Sequence, residues 1–298
     1  MAARSVSPRW AAVAGWILAG ASVLFLVVIA RERRADIASV DLTGRDWVVV
    51  ALLAVAYGAS LFLLAGGWHC LLRSLDAAPD DPRVSIRSFT TSQLAKYVPG
   101  NVFHYVGRHM ILRKESLPHG RLVFASALEA VLMLLAAGLV VLFVVATARP
   151  QVTTPGWSTR PEWWGAILVV LVVSVGVVAV VMVRRAGSVR SSWLLLAVGS
   201  YVVFFAVMGA IFNGAAQVAG GAPGLLTAGS GVAGWMAGFV TPGAPAGVGT
   251  REAATVLFGG TLLPGEVLLV AAGLFRIVTL VGDVLCFAGG YLLPVRKE

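Results

Sequence analysis

Charge is scarce in this chain, at 12% of 298 residues, and negative charge is scarcest, with 14 Asp and Glu against 23 Lys and Arg. Soluble domains carry about 25% charged residues, so an ordinary water-facing surface is excluded. Only two cysteines are present, Cys70 and Cys286, neither at CxxC or metal-ligand spacing. That excludes a disulfide framework and a cysteine zinc site, and both read as small packing residues. The four histidines, His69, His104, His109 and His119, leave the second half of the chain with none. HExxH, paired-aspartate and P-loop patterns are missing, so neither a zinc hydrolase nor an ATP-driven pump is expected. Ser230 lies in AGSG, not GxSG, and reads as packing. No metal and no cofactor are expected.

What is abundant is apolar: 58% of residues are hydrophobic and the mean hydropathy is +0.88. Apolar runs of about 20 residues match the thickness of a hydrocarbon core. The sequence predicts an all-α polytopic membrane protein with six spans, Trp10–Ala30, Trp47–Leu72, Leu122–Ala148, Trp163–Val183, Trp193–Ala219 and Glu266–Pro294. Tryptophans open four of them, where an amphipathic ring sits at headgroup level. The first run follows Arg4 and Arg9 but is too long for a signal-peptide core, so it reads as a retained span.

Two stretches fit neither a span nor a soluble loop. Ile86–Lys114 contains SQLAKYVPGNVFHYVGRHMILRK, and Leu225–Gly260 contains GVAGWMAGFVTPGAPAGVGTREAATVLFGG. Each has apolar flanks around a Pro-Gly break, at Pro99-Gly100 and at Pro242-Gly243. Broken backbone is tolerated at membrane depth only where protein buries it or a wet cavity bathes it. Both are therefore expected to be re-entrant hairpins, with eight spans as the alternative count.

Basic residues set the orientation. Thirteen Lys and Arg fall in the N-terminal tail, the second and fourth loops and the C-terminal tail, against six in the first and third loops. The positive-inside rule then places both termini in the cytoplasm. This distribution in short loops, not in one contiguous patch, is why the net charge of +9 points to topology and not to nucleic acid.

The order span, span, hairpin, span runs from 10 to 148 and recurs from 163 to 294 within one membrane domain, 1–298. Three crossings per half turn the second copy upside down, which is an inverted repeat with hairpins entering from opposite faces. Spacing agrees: Trp47 to Pro99 is 52 residues and Trp193 to Pro242 is 49, while Arg108 and Arg251 each lie nine residues past the hairpin proline.

Ionisable groups at membrane depth are expensive and mark functional sites. The candidates are Lys96, Arg108, Glu129, Arg251, Glu252, Arg276 and Asp283. Arg276 and Asp283 lie seven residues apart, on one face of the last span, either paired with each other or paired separately with Glu129 and a hairpin arginine. Arg108 and Arg251 stand beside broken helices, where free N–H groups and a guanidinium fork suit phosphate. Tyr97 and Gln93 offer neutral hydrogen bonds beside Lys96, and Glu252 is placed to orient Arg251 or exchange a proton. Asn213, Gln217 and the Gly234-xxx-Gly238 spacing read as helix-packing features.

At SQLAKYVPGNVFHYVGR and TPGAPAGVGTREA the sequence resembles the flippase-like membrane domain of the lysylphosphatidylglycerol synthetase family. The matching residues are Lys96, Tyr97, Pro99, Gly100 and Arg108, then Pro242, Gly243, Gly247, Gly249, Arg251, Glu252 and Ala253. The resemblance implies a bacterial inner-membrane protein that moves aminoacylated phosphatidylglycerol or lipid-linked sugars between leaflets. The aminoacyltransferase domain of the full-length synthetases is not in these 298 residues, so synthesis of lysyl-phosphatidylglycerol is not expected.

The reading that results is a flippase or transporter for a phospholipid or polyprenyl-phosphate-linked substrate. Lys96, Arg108 and Arg251 would contact the phosphate, with Tyr97, Glu252, Arg276 and Asp283 supporting the cavity. Its partners would be the membrane, an anionic lipid or lipid-linked sugar and a lipid-modifying enzyme, with no nucleic acid. The alternatives are an intramembrane headgroup transferase and a non-catalytic subunit of a glycosyltransferase or lipid synthase.

Overall fold

The structure, a computed structural model, describes residue 31 and residues 42–97, 103–115, 117–148, 161–241, 250–259 and 263–294. The expected first span and both Pro-Gly breaks, Pro99-Gly100 and Pro242-Gly243, lie outside them. Among the described residues all regular structure is helical: α1 (Gly44–Ser74), α2 (Pro82–Ser92), a 3-10 turn (Gln93–Tyr97), α3 (Phe103–Leu112), a second turn (Arg113–Glu115), α4 (His119–Ala148), α5 (Pro161–Arg185), α6 (Ser191–Val218), α7 (Leu225–Val240), α8 (Thr250–Gly259) and α9 (Gly265–Leu292).

Five of these helices, α1, α4, α5, α6 and α9, are long and apolar enough to cross a bilayer, and the chain is an all-α polytopic membrane protein. The helices overrun the apolar stretches that announced them. In α1 the cause is a capping box: Thr43 Oγ1 accepts from Asp46 N, while Asp46 Oδ2 accepts from Thr43 N at 2.9 Å. That pair satisfies free N–H groups and starts the helix ahead of Trp47.

The intervening limbs are short, 11 residues in α2, 10 in α3, 16 in α7 and 10 in α8. At 1.5 Å per residue none crosses ~30 Å of hydrocarbon, which favours hairpins over the eight-span count. The limbs fold back on each other. A methyl at Gly234 of α7 would lie 2.9 Å from the Arg251 carbonyl of α8, so that glycine permits the close crossing expected of it. In α2 the hydroxyls of Ser88, Thr90, Thr91 and Ser92 turn back onto carbonyls three or four residues earlier. Back-bonding of this kind lets a hydroxyl-rich helix be buried without water.

Contacts between elements pair up across the two halves. The long helices α1 and α6 pack on each other; α9 packs on α1 as α4 packs on α6. Each hairpin's first limb leans on the other half's long helix, α2 on α9 and α7 on α4, and its second limb meets the helix that follows it, α3 on α4 and α8 on α9. The long helices α1 and α9 cross backbone to backbone, where a methyl at Gly58 would sit 2.9 Å from the Gly282 carbonyl and one at Gly282 2.8 Å from the Ala54 carbonyl.

One end of the bundle is tied together by loop contacts. Arg190 N donates to Ser74 O at 3.0 Å, Arg190 Nη2 pairs with Asp76 at 2.8 Å, Arg121 donates to Asp76 O and Arg83 to Pro294 O. The second loop, the fourth loop and the C-terminal end of α9 therefore share one end. The connection between α6 and α7 lies at the other, where Asn213 Oδ1 accepts from Gly224 N at 2.9 Å. It follows that the hairpin before α4 enters from the first end and the hairpin before α9 from the second.

Single cysteines at the exposed positions Asp80 and Ala222, in a background with Cys70 and Cys286 replaced by alanine, test this. Each is expected to react with a membrane-impermeant maleimide from one side only, and from opposite sides. Labelling of both from the same side would contradict the arrangement.

Candidate functional site

The first hairpin delivers two polar side chains just before its break. Lys96 Nζ lies 2.8 Å from the Asp283 carboxylate on α9, and the Tyr97 hydroxyl donates to Asp283 Oδ2. Asp283 is fully buried, while Lys96 keeps 22% of its side chain exposed. A buried carboxylate needs both a counter-charge and hydrogen bonds, and this hairpin end supplies them.

Past the break, α3 carries Arg108 inward. Its Nη1 lies 2.6 Å from Glu129 Oε2 on α4, and both side chains are buried, at 3% and 0% exposure. The guanidinium is also boxed by rings, 3.8 Å from the Phe89 centroid, 5.2 Å from Trp68 and 5.5 Å from Tyr105. Cation–π attraction of this kind strengthens away from water. Arg108 is thus neutralised and held, a firmer anchorage than its reading as a headgroup contact implied.

The second hairpin contributes Arg251 and Glu252 in the first turn of α8. Glu252 Oε1 accepts from Arg276 Nε of α9 at 2.8 Å. Arg251 differs from its three cationic neighbours. Among the described residues it makes no ion pair or side-chain hydrogen bond, and its Nε is buried without a partner while the residue as a whole is part-buried. A cation in the first turn of a helix opposes the helix dipole, so the α8 backbone does not favour it there.

These groups surround one cavity, with room for water centres of about 90 Å³, enough for several waters. Lys96, Tyr97, Arg108, Arg251 and Arg276 line it, together with Gln93, His104, Tyr105 and Tyr57. Leu61, Leu64, Met133, Phe204, Trp235 and Phe239 form its apolar side. Trp235 and Phe239 stack at 4.8 Å between centroids and 19° between planes.

Of the residues expected at the site, Lys96, Tyr97, Arg108, Arg251 and Arg276 line this cavity, while Asp283, Glu129 and Glu252 stand behind it holding Lys96, Arg108 and Arg276. The pairing differs from expectation. Arg276 and Asp283 share a face of α9 but do not pair with each other; each takes a partner from a different hairpin. Glu129 goes to Arg108 and not to Arg276, and Asp283 to Lys96 and not to a hairpin arginine. Burial selects these partners, because each charge is neutralised by the nearest opposite charge on the element packed against it.

Sequence reasoning missed Trp68 and Phe89 as the walls around Arg108, and His104 and Tyr105 as cavity residues. His104 had a usable signal, since it lies four residues before Arg108 in the same short helix and so on the same face. Trp68 had none. Cys286 is fully buried, Ser230 donates to the Thr227 carbonyl within α7, and both are packing residues. Among the described residues no three His, Cys, Asp or Glu gather as a metal site.

Fold and site together define a helical membrane protein whose polar cavity is enclosed by two hairpins from opposite ends. No protein-family model, curated protein or solved structure matches the chain.

Proposed function

We propose that this protein moves an amphiphile with an anionic phosphate headgroup between the leaflets of the bacterial inner membrane, as a flippase or transporter of phospholipid or polyprenyl-phosphate-linked substrates. The carrying observation is Arg251, an arginine without an ion-pair or side-chain hydrogen-bond partner among the described residues, on the wall of a cavity that both hairpins line. Lys96 and Arg276 stand around the same space. The apolar side of the cavity suits the start of an acyl or polyprenyl chain, with the rest remaining in lipid.

The resemblance of SQLAKYVPGNVFHYVGR and TPGAPAGVGTREA to the lysylphosphatidylglycerol synthetase membrane domain supports the same reading. So does an inverted repeat of 10–148 and 163–294, which secondary transporters use to place a site between two gates. Both termini are assigned to the cytoplasm, because the bundle end that joins the second and fourth loops is rich in Arg and Lys.

The test is reconstitution in liposomes with fluorescent phosphatidylglycerol and a labelled sugar linked to a polyprenyl phosphate. Transbilayer movement above protein-free vesicles is expected, and Arg251→Gln is expected to slow it by about tenfold, the loss of one charge-assisted contact. Absence of movement for both lipids, or an unchanged rate in the variant, overturns the proposal. Mass spectrometry of the same vesicles separates translocation, which returns the lipid unaltered, from a headgroup transferase, which returns a product.

A further inference from the structure

We infer that the cavity selects an amphiphile whose phosphate carries a single negative charge, a phosphodiester, and that Asp283 sets this limit. The inference rests on the anion-site reading above. Four cations stand at the cavity, Lys96, Arg108, Arg251 and Arg276. Three carboxylates are placed against three of them: Asp283 at 2.8 Å from Lys96, Glu129 at 2.6 Å from Arg108 and Glu252 at 2.8 Å from Arg276. Among the described residues Arg251 is left over, which gives the site they form one positive charge to be compensated.

A charge buried away from water has to be matched. A phosphodiester brings one negative charge and completes the set. A phosphomonoester above its second ionisation, at about pH 6, or a diphosphate brings two. Lys96 is the most accessible of the three paired cations, 22% exposed against 3% for Arg108 and 6% for Arg276, so the second is matched by drawing Lys96 away from Asp283. That would leave a fully buried carboxylate with only the Tyr97 hydroxyl as partner. Asp283 touches no substrate in this scheme; it acts through Lys96, as a specificity-determining residue.

Calorimetric titration of the purified protein in a nonionic detergent separates the cases. The probes are dihexanoylphosphatidylglycerol, a diester, dihexanoylphosphatidic acid, a monoester, and dimethyl phosphate, a diester without tails. At pH 8 the diester lipid is expected to bind about tenfold or more tightly than the monoester lipid, because the second charge goes unmatched. At pH 5 the monoester keeps one charge and the two affinities are expected to converge. Phosphatidylglycerol is singly charged throughout, so drift in its own affinity reports the protein and is subtracted.

Asp283→Asn frees Lys96 and is expected to remove or invert the preference at pH 8, while Asp283→Glu retains it. Should the asparagine variant fail to fold, the wild-type comparison across pH stands alone. Equal binding of both lipids at pH 8 overturns the charge limit and leaves the anion site standing. Dimethyl phosphate binding as tightly as phosphatidylglycerol overturns the amphiphile. Failure of both lipids to bind, or binding indifferent to Arg251→Gln, overturns the anion-site reading itself.

Discussion

Replacing Glu129 by alanine is expected to destabilise the protein by about 3–5 kcal/mol, because it leaves the Arg108 guanidinium buried without its counter-charge. The carboxylate is fully buried and its partner is 3% exposed, so water cannot replace the lost contact. The surrounding rings of Trp68, Phe89 and Tyr105 already contact the guanidinium in the wild type and supply no counter-charge, so they do not replace the carboxylate. The double variant Arg108→Met with Glu129→Leu is expected to recover most of the stability, since apolar side chains of similar volume often replace a buried ion pair without penalty. Thermal unfolding in detergent, followed by tryptophan fluorescence, measures both. A single variant within about 1 kcal/mol of wild type would mean that the pair is not sealed from solvent.

The second large effect is expected at the crossing of α1 and α9. A Cβ on Gly282 would lie 2.6 Å from Tyr57 Cδ1, 2.8 Å from the Ala54 carbonyl and 2.9 Å from Gly58 N. Two of those neighbours are backbone atoms of a long helix and have no rotamer to change. Gly282→Val is therefore expected to cost at least the ~3 kcal/mol at the upper end of overpacking effects. It is also expected to abolish binding at the cavity, because α9 has to shift and the adjacent Asp283 moves off Lys96. On the same helix, a methyl at Gly273 meets nothing within 4 Å. Gly273→Ala is expected to be neutral or to gain up to ~1 kcal/mol of helix propensity. Comparing the two unfolding temperatures tells a packing effect from a general intolerance of α9 to substitution.

The long helices were legible because a run of about 20 apolar residues has few alternatives to spanning. The hairpins were legible because Pro-Gly inside such a run interrupts the helix. Helix ends were less so: Thr43 and Asp46 extend α1 upstream by a reciprocal cap that hydropathy does not weigh. Which residues would gather was also readable, since ionisable groups at depth avoid lipid. Who pairs with whom was not. Glu129 finds Arg108 21 residues away, and Asp283 finds Lys96 at a separation of 187; such partners are fixed by packing between elements, to which linear spacing is blind. The same holds for Arg251, whose lack of an ion-pair partner among the described residues emerges only after its neighbours have taken theirs.

That both hairpins are fastened to α9 has a consequence for how the chain matures in the membrane. Lys96 and Tyr97 enter long before α9 is synthesised, and Glu252 shortly before it. Until Asp283 and Arg276 arrive, the ribosome has delivered a bundle in which Lys96, Tyr97 and Glu252 lack their α9 partners, although Arg108 already has Glu129. The half-made protein should thus be recognisable to chaperones and membrane proteases, and insertion of α9 should be the event that releases it from their attention.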